Sequence, residues 1–299
     1  AALSSKDSLE VALAADVVVD ATHPAVSPEI VGAAVAGGRR VLVGTSGWSE
    51  PRIAALRTQV AEHPGSAAIV GETDPVLVQI FRDEGGATTL VRGDDFATED
   101  NSLAVGGRSV DLRTPTTIYP DVFIPLHGAH QGDNASVALA AVETFFAAPL
   151  GNDVVHEGFA NVWMPGRFEV LGVQPLTIID GAHNPPGADV CAGVFFDDFD
   201  PDGRRILVVG TLRDPAEMVA ALRADEFDVV HACTAPSPRG VPGAVVANAA
   251  RELGCDEVYV HDTVEAACRA ALRYADADDA ILACGSIYVA GAAREPLRH

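Results

Sequence analysis

Lysine is almost absent from the 299-residue chain: Lys6 is the only one, so the remainder of the 20 basic side chains are arginines. Against them stand 42 acidic residues, and the formal charge is −22. That balance excludes nonspecific binding to nucleic acid or to an anionic membrane, since such polyanions are held by broad cationic faces. Arginines gathered locally remain able to hold a small polyanion such as a nucleotide. Long apolar runs are missing as well. None reaches the ~18 residues that a bilayer span requires, and the opening AALSSKDSLE has neither the basic region nor the apolar core of a secretion signal. The cytoplasm is the expected compartment. Cysteine is sparse and scattered, at Cys191, Cys233, Cys255, Cys268 and Cys284, with no CxxC pair. Each lies in or beside an apolar stretch, which points to buried free thiols rather than disulfides or a zinc site. His127 and His130 have a spacing that suits a metal on a helix face, but Gly128 and the helix start downstream place them in a loop, and no metal ligand is assigned.

What is present describes an ordinary globular α/β chain: 48% apolar residues, 28 glycines and 19 prolines, with length for two compact domains. Two β-branched runs, DVVVDAT (16–22) and RRVLVGT (39–45), enclose a helical stretch from Ser27 to Ala36 that starts on Ser27-Pro28, which makes a β-α-β unit. A helix over Ser49–Ala61 and a strand at 67–71 continue the pattern, and repeated βα units imply a parallel sheet. Asp74-Pro75 opens another helix. After Gly85-Gly86, the pieces TTLVRG, SLAVGGRSVDLRT and TTIYPDVFIPL suggest a small antiparallel extension. Helices follow from Asn134 and from Gly151-Asn152 through His156. Beyond a boundary at Asn161–Pro165, the strand-like runs LTIID, RRILVVG, FDVVHACT, DEVYV and DAILACG alternate with helical ones, the pattern of a doubly wound α/β domain.

Three segments bear chemistry. Ile178-Ile179-Asp180-Gly181-Ala182-His183-Asn184-Pro185 delivers a carboxylate and an imidazole at the C-terminal end of a buried strand, where parallel sheets bind ligands. Asp180 can accept hydrogen bonds or organise a metal-bound phosphate, and His183 can contact a nucleotide; alternatively, these residues cap the following helix. Pro165-Gly166-Arg167-Phe168-Glu169 presents an arginine whose planar fork suits phosphate. Leu126-His127-Gly128-Ala129-His130-Gln131-Gly132-Asp133-Asn134 leads into an alanine-rich helix, with Asn134 placed to bind a base or ribose, or to cap.

In this order and spacing, the three segments resemble the LxGxHQxxN, PGR and DGAHNP signatures of the folylpolyglutamate/dihydrofolate synthases within the Mur ligase superfamily. Cys284-Gly285-Ser286-Ile287-Tyr288-Val289-Ala290-Gly291 is similar to that family's closing element, and Gly71-Glu72-Thr73-Asp74-Pro75 to its exit from the central domain, so the likeness covers 71–299. It implies ATP-dependent addition of glutamate to a folate or pteroate through an acyl phosphate, with magnesium. It places Asn134, Arg167, Asp180 and His183 on the ATP side; no catalytic residue is assigned. Residues 11–70 resemble a different family, the N-terminal region of 4-hydroxy-tetrahydrodipicolinate reductase, through DVVVDATHP and Val43-Gly44-Thr45-Ser46-Gly47. That likeness implies an NAD(P)H remnant at Thr22, Gly44, Thr45 and Gly47.

The ligase family also needs GxxxxGK[ST], whose backbone and lysine hold phosphates while the hydroxyl binds magnesium. No such string occurs, and Lys6 cannot supply both that lysine and the family's active-site lysine. The expected architecture is an incomplete parallel-sheet nucleotide-binding domain, with a reductase-like Rossmann segment over 1–70 and a central-domain remnant over 71–162, followed by a doubly wound Mur-type C-terminal domain over 163–299. The expected function is a folylpolyglutamate/dihydrofolate synthase-like ligase, truncated or rearranged and of doubtful activity alone, its P-loop supplied by an upstream segment or a partner chain. The alternatives are a non-catalytic nucleotide- or folate-binding module and an NAD(P)H-dependent reductase-like protein.

Overall fold

The computed structural model describes residues 17–20, 26–43, 67–83 and 88–298. They form two compact units: one takes the residues up to Ala97 with Ser136–Ala148, the other Thr98–Ala135 with the residues from Pro149 onward.

In the first unit β1 (Val17–Asp20), α1 (Ser27–Ala36) and β2 (Arg40–Val43) make a parallel β-α-β unit, with Val17 opposite Arg40 and Asp20 opposite Val43. Pro28 lies in the first turn of α1, where its missing N–H would have had no partner, and Val31, Ala34 and Val35 form the buried face. The stretch Ser49–Ala61 lies outside the described residues. A second crossover runs through β3 (Ala67–Val70), α2 (Pro75–Asp83) and β4 (Thr88–Val91). Asp74 starts α2 by accepting the Val76 N–H at 2.8 Å, and Glu72 accepts the N–H groups of Thr73 and Asp74 at 2.7 and 2.8 Å. The run TTLVRG does not join an antiparallel extension, because β4 pairs in parallel with β3. The helix between the two strands is the reason: a crossover returns the chain in the same direction, whereas an antiparallel pair needs only a short turn. Val70, Val78 and Val91 close this small core.

The second unit opens with β5 (Ala97–Ala104), β6 (Gly107–Arg113) and β7 (Ile118–Ile124), adjacent in that order. SLAVGGRSVDLRT is thus two strands, joined by a two-residue turn in which Gly106 adopts φ +79°. β6 and β7 are antiparallel. α3 (His130–Phe146) starts four residues before the expected Asn134, and α4 (Asn152–Ala160) runs beyond His156. His130 is therefore a helix residue, and only His127 stays in the loop.

The remaining chain is one six-stranded α/β layer. Its elements are β8 (Glu169–Val173), β9 (Leu176–Ile179), α5 (Pro185–Gly193, continued by a π-helical turn, Val194–Phe199), β10 (Arg205–Val209), α6 (Pro215–Ala221), β11 (Val229–Cys233), α7 (Gly243–Leu253), β12 (Val258–His261), α8 (Val264–Tyr274), β13 (Ala280–Cys284) and α9 (Ile287–Leu297). The strand order is β12-β11-β10-β13-β9-β8. All neighbours are parallel except the edge strand β8, which is antiparallel to β9. Alternate strand residues feed opposite cores: Ile178, Leu207, Val230 and Leu282 pack with α5, α6 and α7, while Ile179, Ile206, Val229 and Ile281 pack with α8 and α9. The chain therefore winds outward along one face and returns along the other. β13 is inserted between β9 and β10, and the connections after β9 and β13 leave to opposite faces. That divergence is the topological switch point at which such sheets bind ligands. All five cysteines are buried and free. Among the described residues no helix is long and apolar enough to cross a membrane.

At the far edge of this sheet His231 is buried on β11. Its Nδ1 lies 2.9 Å from His261 Nε2, its ring stacks on Tyr259, and its Nε2 has no partner among the described residues. Burial, with the charges of His261 and Arg273, pushes its pKa down to about 4 from the 6.5 of a free imidazole. The unfolded chain takes up a proton that the folded chain refuses, so this stabilisation is complete above pH 6.5 and is lost as pH falls towards about 4. Melting temperature followed across that window is expected to fall by several degrees less in His231→Phe than in the wild type. Parallel profiles would show that His231 is not the titrating group.

Candidate functional site

Two turns meet at the switch point. The first, 164–168, enters β8; the second, 180–184, leaves β9. The Gly181 N–H donates to the Gly166 carbonyl at 2.8 Å, and the Asp180 N–H donates to Ala283 of β13 at 3.0 Å. Asp180 then fixes both turns with one carboxylate: Oδ2 accepts the Phe168 N–H at 2.7 Å and Oδ1 accepts the Ala182 N–H at 2.7 Å. Burial raises the Asp180 pKa above the usual carboxylate value, while these backbone donors and then the Arg167 charge pull it back down. Phe168 is held at φ +43°, a left-handed conformation that a bulky residue keeps only when its surroundings impose it. The glycines permit the close approach. A Cβ on Gly181 would stand 3.0 Å from Ile287 Cδ1 and 3.2 Å from the Gly166 carbonyl, and one on Gly285, at φ +103°, would stand 2.6 Å from the Gly210 carbonyl.

Arg167 is exposed on the first turn. Its Nη1 lies 3.7 Å from where a Gly181 Cβ would be, so the guanidinium stands over the glycine turn, and among the described residues it makes no hydrogen bond or ion pair. His183 is exposed beside it, with Nδ1 3.1 Å from the Gly181 carbonyl. The helix cap falls to Asn184 alone, whose Oδ1 accepts the Gly187 N–H at 2.9 Å. Asn134 does not cap either: it is exposed in the second turn of α3, and its Nδ2 donates to Gln131 Oε1 at 3.1 Å. The start of α3 meets the same region through its neighbours. The ring of His127 packs edge-on to Phe199 at 4.9 Å and to Phe168 at 6.1 Å, and the Arg167 charge reaches His130, whose pKa is lowered chiefly by burial. The structure thus brings Arg167 on the first turn beside Asp180 and His183 on the second, while Asn134 bonds within its own helix. Thr22, Gly44, Thr45 and Gly47 lie outside the described residues. Among the described residues no three carboxylate, imidazole or thiol groups converge as a metal site.

Several supporting residues are not singled out by the sequence. Buried Arg108 donates to Asn101 Oδ1 at 2.8 Å and pairs with Asp198 at 3.3 Å, and Asn101 donates to the Ala129 carbonyl at 2.7 Å, pinning the start of α3. Glu169 accepts the Gly166 N–H at 2.8 Å and pairs with Arg294 at 2.7 Å. Glu169 stands inside the PGRFE string, but its partner lies 125 residues away, a separation that no local pattern reveals.

Residues 166–287 match the family model of the Mur ligase glutamate ligase domain. Residues 2–70 match the N-terminal region of dihydrodipicolinate reductase, nine residues further towards the N-terminus than the likeness read from sequence. The chain is 35% identical over 249 residues to a probable bifunctional folylpolyglutamate synthase/dihydropteroate synthase of Haloferax volcanii, covering 80% of this chain and 29% of that protein. It is 35% identical over 257 residues to the dihydrofolate synthase/folylpolyglutamate synthase of Mycobacterium tuberculosis, covering 77% of this chain and 52% of that protein. A crystal structure of Mycobacterium tuberculosis folylpolyglutamate synthase complexed with ADP and AMPPCP superposes with a TM-score of 0.74 at 30% identity, covering 95% of this chain and 64% of that one. The resemblance to the folylpolyglutamate/dihydrofolate synthases over 71–299 therefore holds in sequence and in fold, while the chain spans about half the length of the mycobacterial relative.

The geometry of the six-stranded layer makes Asp180 the joint between the two turns at its switch point. In Asp180→Asn one of the two acceptors becomes an NH2 group facing a backbone N–H, so denaturant unfolding is expected to show a loss of about 1–3 kcal/mol. A change within a few tenths of that scale would mean that the turns hold without the carboxylate.

Proposed function

We propose that the chain provides the nucleotide-facing C-terminal part of a folylpolyglutamate/dihydrofolate synthase-type ATP-dependent ligase, with Arg167 as the phosphate contact and Asp180, His183 and Asn134 completing the ATP side. In this reading 71–162 is the remnant of a Mur central domain, 163–299 the C-terminal domain, and 1–70 the reductase-like segment. The observation that carries it is the unpaired guanidinium of Arg167, held over a glycine turn at the switch point of the sheet. The fork of an arginine is built for phosphate oxygens, and among the described residues no carboxylate pairs with it. Asp180 keeps the turn rigid, so that Arg167 needs little reorganisation to bind. His183 and Asn134 offer the remaining polar contacts, to ribose or base.

ATP would activate the carboxylate of a folate or pteroate as an acyl phosphate for attack by glutamate. The residues of this chain bind and orient the nucleotide; they do not hold its terminal phosphates through a lysine, because the one lysine is Lys6 and no GxxxxGK[ST] string is present. Turnover consequently needs a phosphate-holding segment from outside these 299 residues, together with the magnesium that accompanies the nucleotide. The single lysine favours, for the chain on its own, a nucleotide-binding module without catalysis.

Calorimetry with ADP and ATP tests this reading. Binding is expected for the wild type and a loss of at least about tenfold for Arg167→Ala, the scale of one charge-assisted hydrogen bond. ADP release in the presence of folate and glutamate is expected to stay at background. Unchanged affinity in Arg167→Ala would remove the arginine from the site, and ADP release by the chain alone would overturn the division of labour.

A further inference from the structure

We propose that Glu169 and Arg294 form a positioning clamp that holds the Arg167 turn in its nucleotide-ready shape, an inference that rests on the reading of Arg167 as the phosphate contact. The turn has no regular secondary structure, and the guanidinium of Arg167 does not anchor it. Two carboxylates do. Asp180 holds its far side through the Phe168 N–H, and Glu169 holds its near side: Oε2 accepts the Gly166 N–H at 2.8 Å, one residue before Arg167.

Glu169 is held in turn from the last helix. Arg294 of α9 meets it with both ends of its fork, Nη1 to Oε2 at 3.0 Å and Nη2 to Oε1 at 2.7 Å, and the side chains are only 16% and 30% exposed for Glu169 and Arg294. A bidentate pair at this burial fixes the orientation of the carboxylate, not merely its charge. The outer face of Arg294 is covered by the ring of Trp163, 5.5 Å away, so the segment entering the turn is tied to the same guanidinium. α9 itself starts from the β13 turn, where Ser286 caps it by accepting the Val289 N–H at 3.2 Å, and Ile287 reaches the Gly181 and Gly166 walls. The clamp therefore connects the two sides of the switch point through one helix, and Glu169 acts on a ligand only through the backbone that carries Arg167.

The test compares ADP affinity of the full chain at low temperature, where every variant remains folded, with amide exchange at Gly166. Glu169→Ala and Arg294→Ala are expected to weaken ADP at least about tenfold, about 1.4 kcal/mol, and to accelerate Gly166 exchange. Glu169→Gln keeps an acceptor for the Gly166 N–H but sets an NH2 group against the Arg294 fork, so it is expected to weaken ADP and accelerate Gly166 exchange as Arg294→Ala does. Adding Glu169→Ala to Arg167→Ala should weaken ADP by less than a further twofold, because both changes remove one interaction. Wild-type affinity in Glu169→Ala beside weak binding in Arg167→Ala overturns the clamp and leaves Glu169 a link between strand and helix. Should Glu169→Ala fail to fold, Glu169→Gln and Arg294→Ala decide by the same criteria. No ADP binding by the wild type, or full affinity in Arg167→Ala, defeats the reading of Arg167 itself, and the clamp with it.

Discussion

The carboxylate of Asp180 accepts a backbone N–H from each of two turns, and the geometry of the switch point follows from that shared anchor. Neither turn has a regular ladder to hold it, and the first passes through φ +71° at Gly166 and φ +43° at Phe168, the latter with an intrinsic cost. One acid that satisfies two otherwise unpaired donors offsets that cost and leaves the Gly166 carbonyl free to receive the Gly181 N–H. The desolvation that raises the Asp180 pKa is the counterpart of this role, since a carboxylate that ties two backbone segments together has to leave the solvent.

The layers around that anchor were legible where the signal is local. Each buried strand of the six-stranded layer is a short β-branched or apolar run, and the five runs read from the sequence became β9 to β13. Pro28 and Asp74 mark helix starts by their own chemistry, Pro28 by its missing N–H and Asp74 by accepting the Val76 N–H. The errors have a common physical origin. TTLVRG reads as a strand, which β4 is, but its direction depends on the helix connecting it to β3 and not on its own residues. β8 has the mixed exposure of an edge strand, Glu169 and Val170 half-buried and Val173 open, so its alternation is weak. Apolar periodicity begins at Asn134, whereas the helix itself begins at His130 and is pinned by Asn101 and Arg108, far away in sequence.

The site divides in the same manner. Asp180, Arg167 and His183 stand in compact strings at the ends of strands, and the fold sets the turn of Arg167 against the turn of the other two. What those strings do not disclose is the support. Glu169 belongs to a bidentate pair with a residue of the last helix, and Asp198, which pairs with Arg108, lies in a π-helical turn whose register no hydrophobic period marks. Long-range polar partners are chosen by packing, and packing is the part of a fold that a linear pattern encodes least.

A nucleotide is an anion, and a chain of charge −22 repels anions at long range. At physiological ionic strength, however, that field decays over about 8 Å, so the local arrangement at the turn outweighs the total. Many arginines of the described residues are committed to carboxylates: Arg82 to Asp94, Arg108 to Asp198, Arg204 to Asp276 and Asp279, Arg205 to Asp200, Arg223 to Asp197 and Arg294 to Glu169. Arg167 is not, and Asp180, whose carboxyl its charge reaches, has both oxygens turned to backbone N–H groups. An acid that would otherwise compete with phosphate for the guanidinium is thereby occupied as a structural acceptor. The same bonds that shape the turn keep its arginine available, and in so acidic a chain that availability, more than the number of arginines, decides whether an anion can be held.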